Sequence, residues 1–228
     1  MAPGGAHRAK WSPVSAETEV AAGAQRSSAI RWFASLAVAG VAVVAVTVTA
    51  QSIDRFHWWA GFVLVPGALI GATGGPLLTR GGGRAFVGYL LGCVGSLVFA
   101  VGTLLMLGLM GRGWPTMITL PGLLIAGTYG WRSADPLPRA FHRTVAMLAL
   151  VTAALGVTFQ LLISDVLDFG DAGWWGGFIM AGGLVVLGNG LELLRYRIPY
   201  RVSAVTLAVG PAVIALLLGL RFLRDWPF

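Results

Sequence analysis

A chain of 228 residues that is 57% hydrophobic and only 11% charged cannot clothe a water-facing surface, because soluble domains carry about 25% charged residues. Its mean hydropathy of +0.80 and its recurrent apolar runs of about 20 residues place it in a bilayer. The net charge of +7 sits in short segments between those runs, where membrane topology rather than nucleic acid accounts for it; the single cysteine, Cys93, excludes an internal disulfide, CxxC redox chemistry and a thiolate zinc site.

Residues 1–28 are rich in Ala, Gly, Ser and Pro with scattered charge, and read as a disordered cytoplasmic tail. The first predicted span is 32–51. Val48-Thr49-Ala50 ahead of Gln51 resembles a small-residue cleavage site, but the tail before it is long for a signal peptide, so the span is read as retained. Further spans are predicted over 58–79, 86–110, 114–130, 141–163, 174–194 and 202–220. The fourth is short: about 17 residues at 1.5 Å each reach about 26 Å, against a hydrocarbon core of about 30 Å. Pro121-Gly122 falls in its middle.

Arginine placement decides whether that fourth segment crosses. With seven crossings, one side holds Arg8, Lys10, Arg26, Arg31, Arg80, Arg84, Arg132, Arg139, Arg143, Arg195, Arg197 and Arg201. The other holds only Arg55, Arg112, Arg221 and Arg224. Without the fourth crossing the sixteen basic residues divide equally. The positive-inside bias therefore predicts an all-α bundle of seven membrane helices over 29–228, N-terminus cytoplasmic and C-terminus outside. High Gly and Ala with Arg in place of Lys resembles the usage of a GC-rich bacterium, which implies its plasma membrane. Trp58, Trp59, Trp114, Trp174, Trp175 and Trp226 then fall at the outer interface, and Trp32 and Trp131 at the inner one, as expected of interfacial indoles.

The chain also echoes itself. Trp58-Trp59-Ala60-Gly61-Phe62 returns as Trp174-Trp175-Gly176-Gly177-Phe178, and Gly67, Gly74, Leu77 and Leu78 align with Gly183, Gly190, Leu193 and Leu194. Ser52-Ile53-Asp54 resembles Ile163-Ser164-Asp165, and Arg112-Gly113-Trp114-Pro115 resembles Arg224-Asp225-Trp226-Pro227. The pattern predicts two parallel three-helix units, about 32–110 and 141–220, joined by a linker helix over 114–130, an architecture known among transporters. In helix count alone it is similar to the sugar-transporting SWEET class; the Pro-Gln signature of that class is absent, so no membership follows.

Paired breaks near mid-membrane point to a transport site, because freed backbone carbonyls can line a cavity. Pro66-Gly67 and Gly182-Gly183 are such a pair, and Thr73 and Asn189 fall at matching positions beyond them. Glu192 lies near the inner end of the sixth span with Arg195 at i+3, a helix pair spacing. These seven residues, Pro66, Gly67, Thr73, Gly182, Gly183, Asn189 and Glu192, are the candidate solute path between the second and sixth spans. No charge lies in the middle of any span, which argues against proton-driven pumps, and the only lysine, Lys10, cannot serve a retinal Schiff base.

Other features carry less. Asp54, His57, Asp165, Asp168 and Asp171 are a weak candidate site for a hard cation; a solvated loop explains them as well. Gly88, Gly92 and Gly95 in the third span mark close helix packing, within the chain or to a second copy or partner. No HExxH, GxSxG, P-loop or dinucleotide fingerprint is present, so no enzyme and no cofactor is expected. The reading is a small permease for a neutral or weakly polar solute; the alternative is a non-catalytic accessory or scaffolding subunit of a larger membrane complex.

Overall fold

Apolar runs in hydrocarbon leave backbone N–H and C=O groups no partner but each other, and the α-helix pairs them all within one segment. The computed structural model, which describes residues 13–170, 173–197 and 200–224, is accordingly helical and has no strand among the described residues. Its helices are α1 Pro13–Ser52, α2 Gly61–Leu78, α3 Gly82–Met106, α4 Met110–Gly113, α5 Thr116–Gly127, α6 Pro136–Ile163, α7 Gly176–Glu192 and α8 Arg201–Leu223. Among the described residues, six segments are long and apolar enough to cross a membrane: Ser27–Ser52, Trp58–Leu78, Gly82–Met106, Pro136–Ile163, Gly173–Arg195 and Arg201–Leu223.

Two sequence expectations change here. Where a disordered tail was expected over 1–28, helix runs from Pro13. Pro suits a first helical position, Ala, Glu and Gln are good helix formers, and the apolar helix that follows supplies the nucleus. Residues 1–12, Asp171 and the closing Asp225-Trp226-Pro227 echo lie outside the described residues. The expected breaks at Pro66-Gly67 and Gly182-Gly183 are also not unwound; α2 and α7 run through both. Pro66 is exposed, and Gly67 and Gly183 serve close packing instead.

The helices form two groups. In the first, α2 packs on α1 and α3; in the second, α7 packs on α6 and α8. The α2–α3 seam is backbone against backbone: a Cβ added at Gly67 would stand 2.8 Å from the carbonyl carbon of Val98 and 2.9 Å from Cα of Phe99. One turn further along the same seam, one added at Gly102 would stand 2.6 Å from Cα of Leu64. The α7–α8 seam uses an aligned position, Gly183, together with Gly219 of α8. Gly183 faces the Ala212 carbonyl oxygen at 3.0 Å from such a Cβ, and Gly219 faces the backbone N of Met180 at 2.9 Å.

Each group also turns its first corner in the same way. After α1, Ile53 N donates to Thr49 O, Asp54 N to Gln51 O and Arg55 N to Ala50 O. After α6, Ser164 N donates to Gln160 O, Asp165 N to Leu162 O and Val166 N to Leu161 O. Both are Schellman ends, whose capping residue must take the left-handed conformation. Asp54 and Asp165 take it, with φ 55° and 57°; Asp tolerates this region better than most residues.

The groups are joined through α5. Residues 110–131, helical apart from a turn at Trp114–Pro115, lie antiparallel to α6. Gln160 Nε2 donates to Arg112 O at 3.1 Å, and Thr128 Oγ1 meets His142 Nε2 at 2.9 Å. Tyr89 of α3 donates to Leu124 O at 2.5 Å, and Trp131 packs on Phe86 and Tyr89. The segment thus carries the chain from the end where α3 finishes to the end where α3 and α6 both begin. That second end is arginine-rich: Arg31 Nη1 donates to Thr79 Oγ1 there at 2.8 Å.

Candidate functional site

The candidate path splits between the two groups. Pro66, Gly67 and Thr73 are in α2, while Gly182, Gly183, Asn189 and Glu192 are in α7. Gly67 borders a cavity of about 460 Å³ walled by α1, α2 and α3 residues such as Ala39, Ala72 and Ser96. Gly182 and Gly183 border one of about 530 Å³ walled by α6, α7 and α8 residues such as Thr152, Ile179 and Ala215. The Thr73 hydroxyl is spent on Ile70 O at 2.6 Å, as expected of a threonine bonding back along its own helix.

Asn189 and Glu192 do belong together, with a partner that sequence spacing did not select. Arg143, in the second turn of α6, donates Nε to Asn189 Oδ1 at 2.5 Å and Nη1 to Glu192 Oε1 at 3.2 Å. Its Nη2 pairs with Glu192 Oε2 in the one ion pair among the described residues. Arg195, the expected partner at i+3, is exposed and forms no such pair; the Glu192 carboxylate is drawn across to α6 by a bidentate guanidinium, the stronger geometry. Asn189, only 6% exposed, is satisfied on both sides. Its Nδ2 donates to Val185 O at 2.9 Å. The sequence signal was available: Arg143 and Glu192 both sit within two turns of the same end of their spans.

The acidic candidates do not assemble. No three His, Cys, Asp or Glu among the described residues gather closely enough for a metal ion. Asp54 and Asp165 are the helix-ending residues described above. Asp168 Oδ1 accepts from Gly170 N at 2.9 Å, and His57 Nδ1 lies 2.8 Å from Arg55 O. Of the small residues in α3, Gly88 and Gly95 face Gly74 and Gly71 of α2. That face is covered by α2, while nothing stands within 4 Å of a Cβ added at Gly92.

A site the sequence reading missed lies where the groups meet. A cavity of about 540 Å³ opens between α3, α5 and α6, lined by Phe99, Leu104, Leu120 and Val157 with Thr103, Thr116, Thr119 and Gln160. The three hydroxyls donate to backbone carbonyls three or four residues back: Thr103 to Phe99 O, Thr116 to Gly113 O and Thr119 to Pro115 O. Their oxygens keep only lone pairs for anything in the cavity. Gln160 holds Arg112 O with its Nε2, and its Oε1 is buried with no hydrogen-bond partner. The three hydroxyl oxygens and Gln160 Oε1 are acceptors here, Gln160 Nε2 keeps a second N–H beyond the one given to Arg112 O, and the unsatisfied Oε1 costs about 1–3 kcal/mol. The signal in the sequence was a carboxamide inside an otherwise apolar run. No protein-family model, curated protein or solved structure matches the chain.

Proposed function

We propose that this chain is a small permease of a bacterial plasma membrane for a neutral or weakly polar solute, with its site in the cavity between α3, α5 and α6. The observation that carries the reading is the orphaned Gln160 Oε1, on a residue lining a cavity whose threonine hydroxyls already donate to backbone carbonyls. A solute bearing a hydroxyl or amide N–H supplies the missing donor. Apolar walls with a few oriented polar groups are the usual form of a small-molecule site, and in transporters built from repeats the site lies at the repeat interface.

The same reading takes residues 110–131 as a seventh crossing, the linker of a three-plus-one-plus-three arrangement. Support comes from the run of that segment along α6, from the matched Asp54 and Asp165 turns, and from the aligned glycine seams. With seven crossings the arginine-rich end faces the cytoplasm by the positive-inside rule. The N-terminus is then cytoplasmic and the C-terminus outside.

One observation favours the second reading, an accessory subunit. Only 6% of the apolar window of Ser27–Ser52 is buried, so α1 offers almost its whole surface to lipid or to another protein. Liposome shrinkage and reswelling with a panel of small polyols, sugars and amides separates the two. The permease reading expects purified protein to speed entry of at least one solute, and Gln160→Leu to slow it about tenfold, the effect of losing one well-placed polar contact. Rates equal to empty liposomes for every solute would sink the permease, and the native mass of the gently extracted protein would then identify the assembly it serves.

A further inference from the structure

A polar pocket of about 340 Å³ lies at the arginine-rich end, between the 3-10 turn Thr128–Trp131, the first two turns of α6 and the end of α7. Its charged lining is Arg132, Arg139, Arg143 and Glu192, three cations against one carboxylate. Glu192 is taken up by Arg143 and by the Tyr196 hydroxyl, which donates to Oε1 at 3.4 Å. Arg139 donates to the carbonyls of Ser133 and Ala134, which fixes its position and leaves its charge uncompensated. Arg132 lies over the Tyr129 ring, 5.4 Å from its centroid. Neither Arg132 nor Arg139 pairs with a carboxylate among the described residues. Asp135 is the nearest acid in sequence; it begins α6 by accepting Arg139 N at its carbonyl and forms no ion pair. The start of α6 adds the partial positive charge of a helix N-terminus.

The depth of this pocket follows from α6. Its 28 residues reach about 42 Å at 1.5 Å each, about 12 Å more than the hydrocarbon core. The charged residues of α6, Arg139 and Arg143, are both in its first eight positions, and residues 144–163 carry none. The uncharged part spans the core, and the first two turns stand in the headgroup layer. Trp131, beside the pocket, belongs at the same level.

We infer that this pocket binds a phosphate group, carried by an anionic lipid headgroup or by a soluble molecule of the same chemistry. Guanidinium forks match phosphate oxygens, and basic pockets between helices at the headgroup level recognise such groups. The inference does not depend on the transport reading.

Delipidated full-length protein in an uncharged detergent is titrated with phosphatidylglycerol, phosphatidylcholine or inorganic phosphate. Retained lipid is counted by native mass spectrometry, and melting temperature is followed alongside. Phosphatidylglycerol is expected to be retained and to raise the melting temperature, and phosphatidylcholine to do neither. Arg132→Gln and Arg139→Gln should each weaken binding about fivefold, while Arg84→Gln, exposed at the same end, leaves it unchanged. Arg132→Gln breaks no hydrogen bond to the backbone, so it tests the pocket even where the Arg139 variant misfolds. An Arg132-dependent response to inorganic phosphate alone assigns the same chemistry to a soluble source. Affinity of the Arg132→Gln protein equal to wild type for every probe overturns the assignment, as does Arg132-independent retention of both lipids.

Discussion

Arg143 decides what Glu192 and Asn189 can do. Its side chain is 31% exposed and that of Glu192 28%, so the pair stands between the surface limit, where ion pairs give about 0–1 kcal/mol, and the buried limit, where breaking one costs about 3–5 kcal/mol. Arg143→Met and Glu192→Gln should therefore each lower unfolding free energy by about 1–3 kcal/mol, because each strands a partly buried partner. The double variant should lose less than the sum, with a coupling of about 1 kcal/mol or more, as for groups in one network. Thermal melts of the four proteins in one detergent close the cycle; strictly additive losses would show that α6 and α7 are held without this pair. The residues were half legible. Asn189 and Glu192 stand out as polar positions in an apolar run. Their partner is marked only by lying near the same end of its span; the register that joins residues 49 apart in the chain is set by packing and leaves no mark in local spacing.

Helix seams show a different balance between what sequence tells and what it withholds. Apolar runs and interfacial tryptophans were enough to place six membrane-length helices, since hydrophobicity and length alone determine a span. Matched Pro-Gly and Gly-Gly positions were read as breaks lining a path, and the structure uses the glycines as contact points. Gly67 and Gly95 take the backbone of the neighbouring helix where a side chain would stand. Composition cannot separate these uses, since both need a residue without Cβ. Substitution can. Gly67→Ala and Gly95→Ala drive a methyl into backbone atoms that cannot step aside, and should each cost about 1–3 kcal/mol, the usual range for overpacking. Gly92→Ala, with nothing within 4 Å of the new Cβ, should stay within about 0.5 kcal/mol of wild type. Equal losses at all three positions, measured by melting in detergent, would mean that backbone flexibility within α2 and α3 rather than their seam is what glycine supplies.

At the scale of the whole molecule, everything turns on residues 110–131. A 12-residue α5 is too short by itself to count as a span. With the turns on either side it is a rod of about 33 Å at 1.5 Å per residue, and it meets α6 from Arg112 to Thr128. If it crosses, the cavity beside Gln160 and the arginine pocket, at the two ends of α6, lie toward opposite faces of the membrane. If it does not cross, both halves of the arginine distribution lose their sidedness and the junction cavity cannot lie on a path. Single cysteines at Gly111 and Ser133, in a Cys93→Ser background, read this directly. A membrane-impermeant thiol reagent added to intact cells should modify the cysteine at 111 and spare the one at 133 until the membrane is opened. Modification of both from the same face would remove the seventh crossing, and with it the parallel repeat and the placement of a solute site between its halves.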